Sequence, residues 1–144
     1  MNILIIKHGA IGDFVMSIGA MKSIRNKFPK NNIYLLTTTS INKVFYKIPY
    51  VDQVLIDDRK SILDLFRYLI KLKKFEITLV IDLQNSKRTE IYHLFTRVIL
   101  KNIKINSSRK FANYTYKILP HGHEHVSDGL NNQLKLIKIN KFFK

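Results

Sequence analysis

The feature that most constrains this chain is a short apolar run at its start, followed at once by a glycine-containing turn. Residues Ile3–Ile6 are all aliphatic, and no polar side chain interrupts them. This pattern is typical of a strand buried on both faces, as in a parallel sheet covered by helices. Gly9 and Gly12 allow a tight turn and the close approach of another group. Asp13 then precedes apolar residues at helical spacing, so the sequence predicts a strand, a turn and a helix.

The rest of the chain repeats this alternation. Further strands are predicted at residues 33–38, 54–56, 77–81 and 103–105. Helices are predicted at 14–28, 40–48, 61–74, 89–100 and 124–139, and residues 107–123 are predicted to be irregular. Strands that alternate with helices of this length indicate parallel β-α-β units. The predicted fold class is therefore α/β, a Rossmann-like doubly wound parallel sheet in one domain.

The helix predicted at residues 61–74 is amphipathic. Its apolar side carries Ile62, Leu65, Phe66, Leu69, Ile70 and Phe75. Its other side carries Lys60, Arg67, Lys71, Lys73 and Lys74. The basic side is suited to an anionic membrane surface, although such a face is more often simply solvated.

Asp13 has two compatible interpretations from its position alone. It can cap the first helix by accepting a backbone N–H group. It can also place a carboxylate at the mouth of a cleft, because ligands of open α/β sheets bind at the carboxyl ends of the strands. The preceding glycines do not form a nucleotide fingerprint, since three-glycine spacing and a following Gly-Lys-Ser/Thr are both lacking.

The motif Lys7-x-Gly9-Ala-Ile-Gly12-Asp13 after a hydrophobic strand resembles the opening of the lipopolysaccharide heptosyltransferases, glycosyltransferase family 9. In that family the aspartate that closes the motif is the proposed general base. The resemblance therefore implies a catalytic role for Asp13 and an acceptor-binding role for Lys7, Gly9 and Gly12.

A second candidate segment follows the fourth predicted strand. Asp82-Leu-Gln84 ends that strand, and Lys87-Arg88-Thr89 opens the next helix, so we expect this segment to face the same cleft as Asp13. The segment resembles the heptosyltransferase pattern Asp-x-Gln-x-x-x-Lys/Arg-Ser/Thr. That resemblance implies that Gln84, Lys87, Arg88 and Thr89 bind an acidic acceptor sugar, for which a planar guanidinium is well suited. By spacing alone, Arg88 can equally be a surface charge and Gln84 a turn residue.

Three histidines, His121, His123 and His125, alternate near the last predicted helix. A metal site is a minor interpretation, because the spacing is not that of a zinc-binding helix and the chain has no cysteine. The segment from His125 instead resembles the family's His-Ala-Val-Asp/Glu-Arg segment, which implies an acceptor-binding role for His125. Gly129 stands at the arginine position and Gly19 at the position of a proline in the first helix, and both depart from the family pattern.

The resemblance covers nearly the whole chain but only half of the enzyme. Family members combine two Rossmann-like domains in the GT-B arrangement. The resemblance implies that residues 1–144 are the N-terminal acceptor-side domain and that the C-terminal nucleotide-sugar domain is absent. It further implies an inverting transfer from ADP-heptose in the complete enzyme, no cofactor or metal in this domain, and no activity of this domain alone.

The formal net charge of +15 predicts attraction to polyanions. Two further functions stay open on this ground: a non-enzymatic binding module for an anionic glycolipid or nucleic acid, and a partner subunit of a split transferase. Nucleic acid ranks lower, because the chain has no interleaved basic and aromatic ribbons. No apolar run reaches the ~20 residues that span a bilayer, and no signal-peptide pattern is present. The expected location is therefore cytoplasmic, with peripheral contact to the inner face of the cytoplasmic membrane through a sugar-lipid acceptor.

Overall fold

The computed structural model describes residues 1–120 and 122–143. Its strands are β1 (Asn2–Ile6), β2 (Asn32–Thr37), β3 (Gln53–Ile56), β4 (Ile77–Asp82), β5 (Lys104–Ser107) and β6 (Tyr114–Thr115). The helices of the described residues are α1 (Ile11–Lys27), α2 (Thr39–Val44), α3 (Leu63–Lys74), α4 (Lys87–Ile99) and α5 (Val126–Lys135). The strands form one six-stranded sheet in the order β3-β2-β1-β4-β5-β6, and every pairing is parallel. The predicted Rossmann-like doubly wound sheet is confirmed.

The first strand lies in the middle of the sheet and is buried on both sides, as its composition predicts. Ile3 and Ile5 belong to a core with α1 and α5, whereas Leu4 and Ile6 belong to a separate core with α3 and α4. All four side chains are fully buried. Each contributes about 1.5–3 kcal/mol relative to exposure, so β1 connects the two layers of helices.

The first two helices begin earlier than predicted. The first helix begins at Ile11, and its N-cap is Ala10, which makes no side-chain capping bond. The short second helix begins at Thr39 and is capped by Thr38, whose hydroxyl accepts from the Ile41 amide. Asp13 thus lies inside the first turn, and its interpretation as the helix cap is wrong.

One strand lies in the stretch predicted to be irregular. The two residues of β6 pair with β5 at the edge of the sheet. So short an edge strand has no run of alternating residues by which it can be recognised. The last helix is also shorter than the predicted range 124–139, and His125 is its N-cap.

The buried face of α3 coincides with only part of the predicted apolar side, through Leu65 and Leu69. Ile62, Phe66 and Ile70 are 72%, 52% and 63% exposed, whereas Leu65 and Tyr68 are buried. The physical reason is Tyr68, whose ring stacks on that of Tyr92 from α4 with centroids 4.4 Å apart. This contact turns the helix so that part of its apolar side faces outward.

Candidate functional site

The candidate site lies where the sheet changes direction. The strands β1 and β4 are neighbours, but the chain leaves β1 toward β2 and leaves β4 toward β5, on opposite sides. Such a switch point opens a crevice outside the carboxyl ends of the two strands. A cleft of about 490 Å³ is found there. Its lining includes Lys7, Asp13, Leu83, Gln84, Asn85, Ser108, Arg109, Lys117, Ile118, Leu119, Glu124, His125, Val126 and Leu130.

The β1–α1 loop is held against the β4–α4 loop by one side chain. Gln84 Oε1 accepts hydrogen bonds from the backbone amides of His8, at 3.0 Å, and Gly9, at 2.8 Å. A Cβ atom on Gly9 would lie 3.2 Å from the same oxygen, which is tighter than an ordinary contact. Gly9 is therefore required for this close approach. A Cβ atom on Gly12 would meet open space, so no neighbouring group of the described chain requires a glycine there.

Asp13 lines the cleft with its side chain exposed. It lies in the first turn of α1, where the partial positive charge of the helix terminus stabilises a carboxylate. No hydrogen bond joins its carboxylate to another group within residues 1–120 and 122–143. An incoming hydroxyl group can therefore reach it without displacing a protein partner.

Lys7 places a buried cation in the same wall. Its side chain is almost fully buried, and its Nζ donates to the carbonyl of Leu83 at 3.3 Å. Burial lowers the pKa of Lys7, while the charges of Asp13 and Asp82 act in the opposite direction. An additional negative charge in the cleft would therefore favour the ammonium form.

The arginine of this cleft is Arg109 and not Arg88, so the expectation that Arg88 and Asp13 share a pocket is wrong. Arg109 Nε donates to the carbonyl of Asn85 at 2.6 Å, and its amide donates to Ser107 Oγ at 3.0 Å. These bonds fix the base of a half-buried side chain that lines the cleft.

Arg88 turns away from the cleft because partners near α3 hold it. Its Nε donates to the Tyr92 hydroxyl at 3.0 Å, and a terminal nitrogen donates to the Ser61 carbonyl at 3.2 Å. The same guanidinium lies 3.9 Å from Asp64. Its interpretation as a structural charge fits the structure better than an acceptor-binding role.

Two other residues of the same segment are also outside the cleft lining. Thr89 is fully buried, and it forms a reciprocal capping box with Ser86 at the start of α4. Lys87 is exposed in the first turn of that helix. Of the acceptor-binding residues predicted in this segment, the structure brings only Gln84 to the cleft.

His125 lies at the opposite wall. It caps α5, and its Nδ1 lies 2.7 Å from Ser127 Oγ. His123 is exposed, and His121 lies outside the described residues. Among residues 1–120 and 122–143, no three histidine or acidic side chains converge as a metal site would require.

Glu124 is a cleft residue that sequence reasoning missed. Its Oε1 accepts hydrogen bonds from the Tyr116 hydroxyl at 2.9 Å and from the side-chain amide of Asn132 at 2.7 Å. A Cβ atom on Gly129 would lie 3.2 Å from Glu124 Oε2, so the small residue leaves space for this carboxylate. Where the family has an arginine, this chain has Gly129, and the carboxylate of Glu124 lies beside this glycine of α5.

Beneath the cleft, buried carboxylates hold the ends of the strands. Asp82 Oδ2 lies 2.9 Å from His93 Nε2 and accepts from Ser107 Oγ at 3.0 Å. Burial by itself would raise the pKa of Asp82, but the bonds from His93 and from the backbone lower it below the ordinary value. The carboxylate is therefore ionised and acts as a fixed acceptor under the β4–α4 loop.

A second buried pair joins β1 to β3. His8 Nε2 lies 3.1 Å from Asp57 Oδ2, which also accepts from the Tyr92 hydroxyl at 2.7 Å. Burial tends to raise the pKa of Asp57, but the close contact with His8 and the hydrogen bond from Tyr92 outweigh it, so the pKa lies below its ordinary value. This pair contains no residue of the cleft lining, and its role is to hold the two strands together.

The pH dependence of stability tests this pair. We expect Asp57→Asn to lower the free energy of unfolding by about 1–3 kcal/mol at pH 7. Because the folded-state pKa of Asp57 is lowered, its stabilising effect is complete above the unfolded value of 3.8 and is lost as pH falls through the folded value. Urea unfolding from pH 7 to pH 2 should therefore show the difference between wild type and variant shrinking in acid. A difference that is constant or grows in acid would contradict this assignment.

No family model matches this chain, and no curated protein matches it in sequence. Solved structures do match. The crystal structure of a family 9 glycosyl transferase from Veillonella parvula aligns with a TM-score of 0.72 and 17% identity, over 96% of this chain and 42% of that one. Escherichia coli heptosyltransferase WaaC with ADP aligns with a TM-score of 0.63 and 17% identity, over 96% and 46%. E. coli ADP-heptose lps heptosyltransferase II aligns with a TM-score of 0.69 and 16% identity, over 90% and 39%.

The resemblance to glycosyltransferase family 9 inferred from motifs is thus confirmed at the level of the fold. The chain has a glycosyltransferase-like α/β fold. It spans less than half the length of each of these solved chains.

Proposed function

We propose that this domain is the acceptor-binding half of an inverting sugar transferase of the heptosyltransferase type. The observation that carries the proposal is the carboxylate of Asp13, which has no hydrogen-bond partner among the described residues and lines the switch-point cleft together with Lys7, Arg109 and Lys117. The solved structures of the same fold include heptosyltransferases with ADP and with ADP-2-deoxy-2-fluoro heptose. An ADP-sugar is therefore the proposed donor.

In the proposed reaction, Asp13 accepts the proton of an acceptor hydroxyl as that oxygen attacks the anomeric carbon of the donor. The new C–O bond forms on one face while the bond to the diphosphate breaks on the other, so the configuration inverts. The diphosphate leaves with the bonding electrons. A positioned base contributes about 10²–10⁴-fold, and the remaining acceleration must come from positioning and from neutralising the leaving group.

Neutralisation of the leaving diphosphate is assigned to a separate nucleotide-sugar domain, on the same polypeptide or on another. This proposal is supported by the length of chain matched in the solved structures and by the lack of a nucleotide fingerprint after β1. We expect no sugar transfer by residues 1–144 alone. Turnover by this domain with an ADP-sugar and a lipid-linked acceptor would contradict the division of tasks.

The acceptor class follows from the charges of the cleft. The lining of the cleft contains three cations, Lys7, Arg109 and Lys117, and two carboxylates, Asp13 and Glu124, so its charge is positive by one. The Nε of Arg109 donates to the carbonyl of Asn85, which holds the side chain in place, and no hydrogen bond within the described residues occupies its terminal nitrogens. The proposed acceptor is therefore a sugar that carries a carboxylate or phosphate group, attached to a lipid.

Binding of small sugars tests this assignment directly. We expect glucose 6-phosphate and glucuronate, but not glucose, to shift the amide resonances of Gly9, Gly12 and Arg109 in a titration of the domain. Arg109→Ala should weaken this binding by about tenfold or more, because a charge-assisted hydrogen bond is lost. Arg97→Ala, at an exposed arginine outside the cleft, is the matched control. The proposal would be contradicted if the two variants bound the charged sugars with equal affinity. It would also be contradicted if the amide resonances that shift belonged only to residues outside the cleft.

A non-enzymatic binding module would use the same cations without needing Asp13. The two functions are distinguished by Asp13→Asn, which should leave binding of a charged sugar intact under both and abolish transfer only if Asp13 is a base. Nucleic acid would instead show a steep loss of affinity with salt and little dependence on Arg109 alone.

A further inference from the structure

The outer sides of α3 and α4 expose large apolar residues. Three lie on each helix, and all are between 38% and 63% exposed: Leu63, Phe66, Ile70, Ile91, Leu94 and Val98. These six residues are called the α3–α4 outer surface. A single exposed aliphatic residue is ordinary, whereas several on one side indicate an interaction site.

The six residues lie on the same side of the molecule. The two helices pack against the same face of the sheet, together with Leu4 and Ile6 of β1. Their inward sides meet through the stacked rings of Tyr68 and Tyr92. The residues of the surface recur at spacings of three and four along each helix.

The charge around this surface is strongly positive. Together α3 and α4 contain seven lysine and arginine residues and two acidic ones. One of the two acids, Asp64, is buried and accepts hydrogen bonds from backbone amides and from Arg67. The exposed basic residues of the two helices are Arg67, Lys73, Lys74, Lys87 and Arg97.

The exposed apolar residues and the positive charge around them together indicate the class of partner. A second copy of the chain would bring one basic rim against another if the two surfaces met in a symmetric dimer. The cores of protein interfaces are also poor in lysine. An anionic bilayer suits both the apolar residues and the positive charge around them. The apolar side chains would enter the headgroup region, and lysine and arginine attract acidic lipids. No helix among the described residues is long and apolar enough to cross a membrane, so contact would be at the bilayer surface.

We propose that the α3–α4 outer surface binds an anionic lipid bilayer. Both helices begin at the carboxyl edge of the sheet, the edge that also holds the cleft. The proposal stands on the surface alone and can be tested without any sugar, so its failure is distinguishable from failure of the proposed function.

Vesicle sedimentation of the 144-residue domain tests it. We expect binding to vesicles of phosphatidylglycerol and phosphatidylethanolamine, and at least tenfold weaker binding to phosphatidylcholine vesicles. The double variant Phe66→Gln/Ile70→Gln, which changes no charge, should weaken binding by at least tenfold. Lys73→Gln/Lys74→Gln should weaken it by about thirtyfold, because each lysine near the surface contributes roughly 1 kcal/mol.

The matched control is Val15→Gln/Met16→Gln, which removes two exposed apolar side chains from α1 on the other face of the sheet. It should bind vesicles like the wild type. Urea unfolding checks that each variant is folded. The proposal is overturned if wild type does not sediment with anionic vesicles, if the α3 double variant binds as well as the control, or if the free domain is a dimer that the α3 variant dissociates.

Discussion

Replacing Asp82 by alanine is expected to lower the free energy of unfolding by about 3–5 kcal/mol, measured by urea denaturation. The carboxylate is fully buried, and it accepts from the amides of Gln84 and Asn85 as well as from Ser107. Its removal leaves these donors and the buried imidazole of His93 without their acceptor. Since a small domain is stable by only about 5–15 kcal/mol, the variant should be close to unfolding at body temperature.

The control for this prediction makes the same chemical change at an exposed site. Asp128 lies exposed in the first turn of α5, where Asp128→Ala should cost only about 0.3–1 kcal/mol from the helix dipole. Asp82→Asn keeps one acceptor oxygen and the shape of the side chain, so its effect should fall between the two. If Asp82→Ala loses no more stability than Asp128→Ala, the assigned role of the buried pair is wrong.

The Asp82 network matters for function because it positions the cleft. Asp82 fixes the backbone of Gln84 and Asn85 at the end of β4. Gln84 then holds the β1–α1 loop through Gly9, and the Asn85 carbonyl holds Arg109. The two loops that carry the proposed base and the proposed anion-binding cation are therefore joined through one buried carboxylate.

The sheet was predictable because its strands are unusually uniform. Runs such as Ile3–Ile6 contain no polar residue, and only a strand covered on both faces can bury them completely. The alternation with long helices then leaves few topologies. The edge strand β6 was missed for the opposite reason, because two exposed residues that pair with β5 carry no periodic signal.

The site was predictable in its location but not in all of its side chains. Position after a strand places a residue at the carboxyl edge, which is correct for Asp13 and Gln84. Position does not say toward which side a side chain turns, and Arg88 turns to Ser61 near α3. The signal for Arg109 is present in the sequence, since it follows the fifth strand at the same edge, but the motifs that resemble the family lie after the first and fourth strands and at the last helix.

The faces of α3 show the same limit. Its sequence offers two overlapping apolar stripes, one through Leu65 and Leu72 and one through Phe66 and Ile70. Helical periodicity does not indicate which stripe is buried, because Tyr68 can be buried together with the stripe through Leu65 and Leu72. The stacking of Tyr68 on Tyr92 depends on α4, which is distant in the sequence.

Replacing Asp13 by asparagine is expected to reduce sugar transfer by about 10²–10⁴-fold in a polypeptide that joins this domain to a nucleotide-sugar domain. The amide is similar in shape to the carboxylate but cannot accept the proton of the attacking hydroxyl. Since the side chain is exposed and makes no hydrogen bond within the described residues, folding should be unaffected. Release of ADP from ADP-heptose in the presence of a lipid-linked acidic sugar measures the rate.

The kinetic constants separate a base from a binding group. Loss of a proton acceptor lowers kcat and leaves KM nearly constant, whereas loss of a binding contact raises KM. Arg109→Ala should show the second behaviour, because its guanidinium acts on the charge of the acceptor and not on the transferred proton. Asp128→Asn, at an exposed carboxylate outside the lining of this cleft, should match the wild type. If Asp13→Asn retains kcat within about threefold, another group must take the proton, and the carboxylate at the start of α1 is not the base.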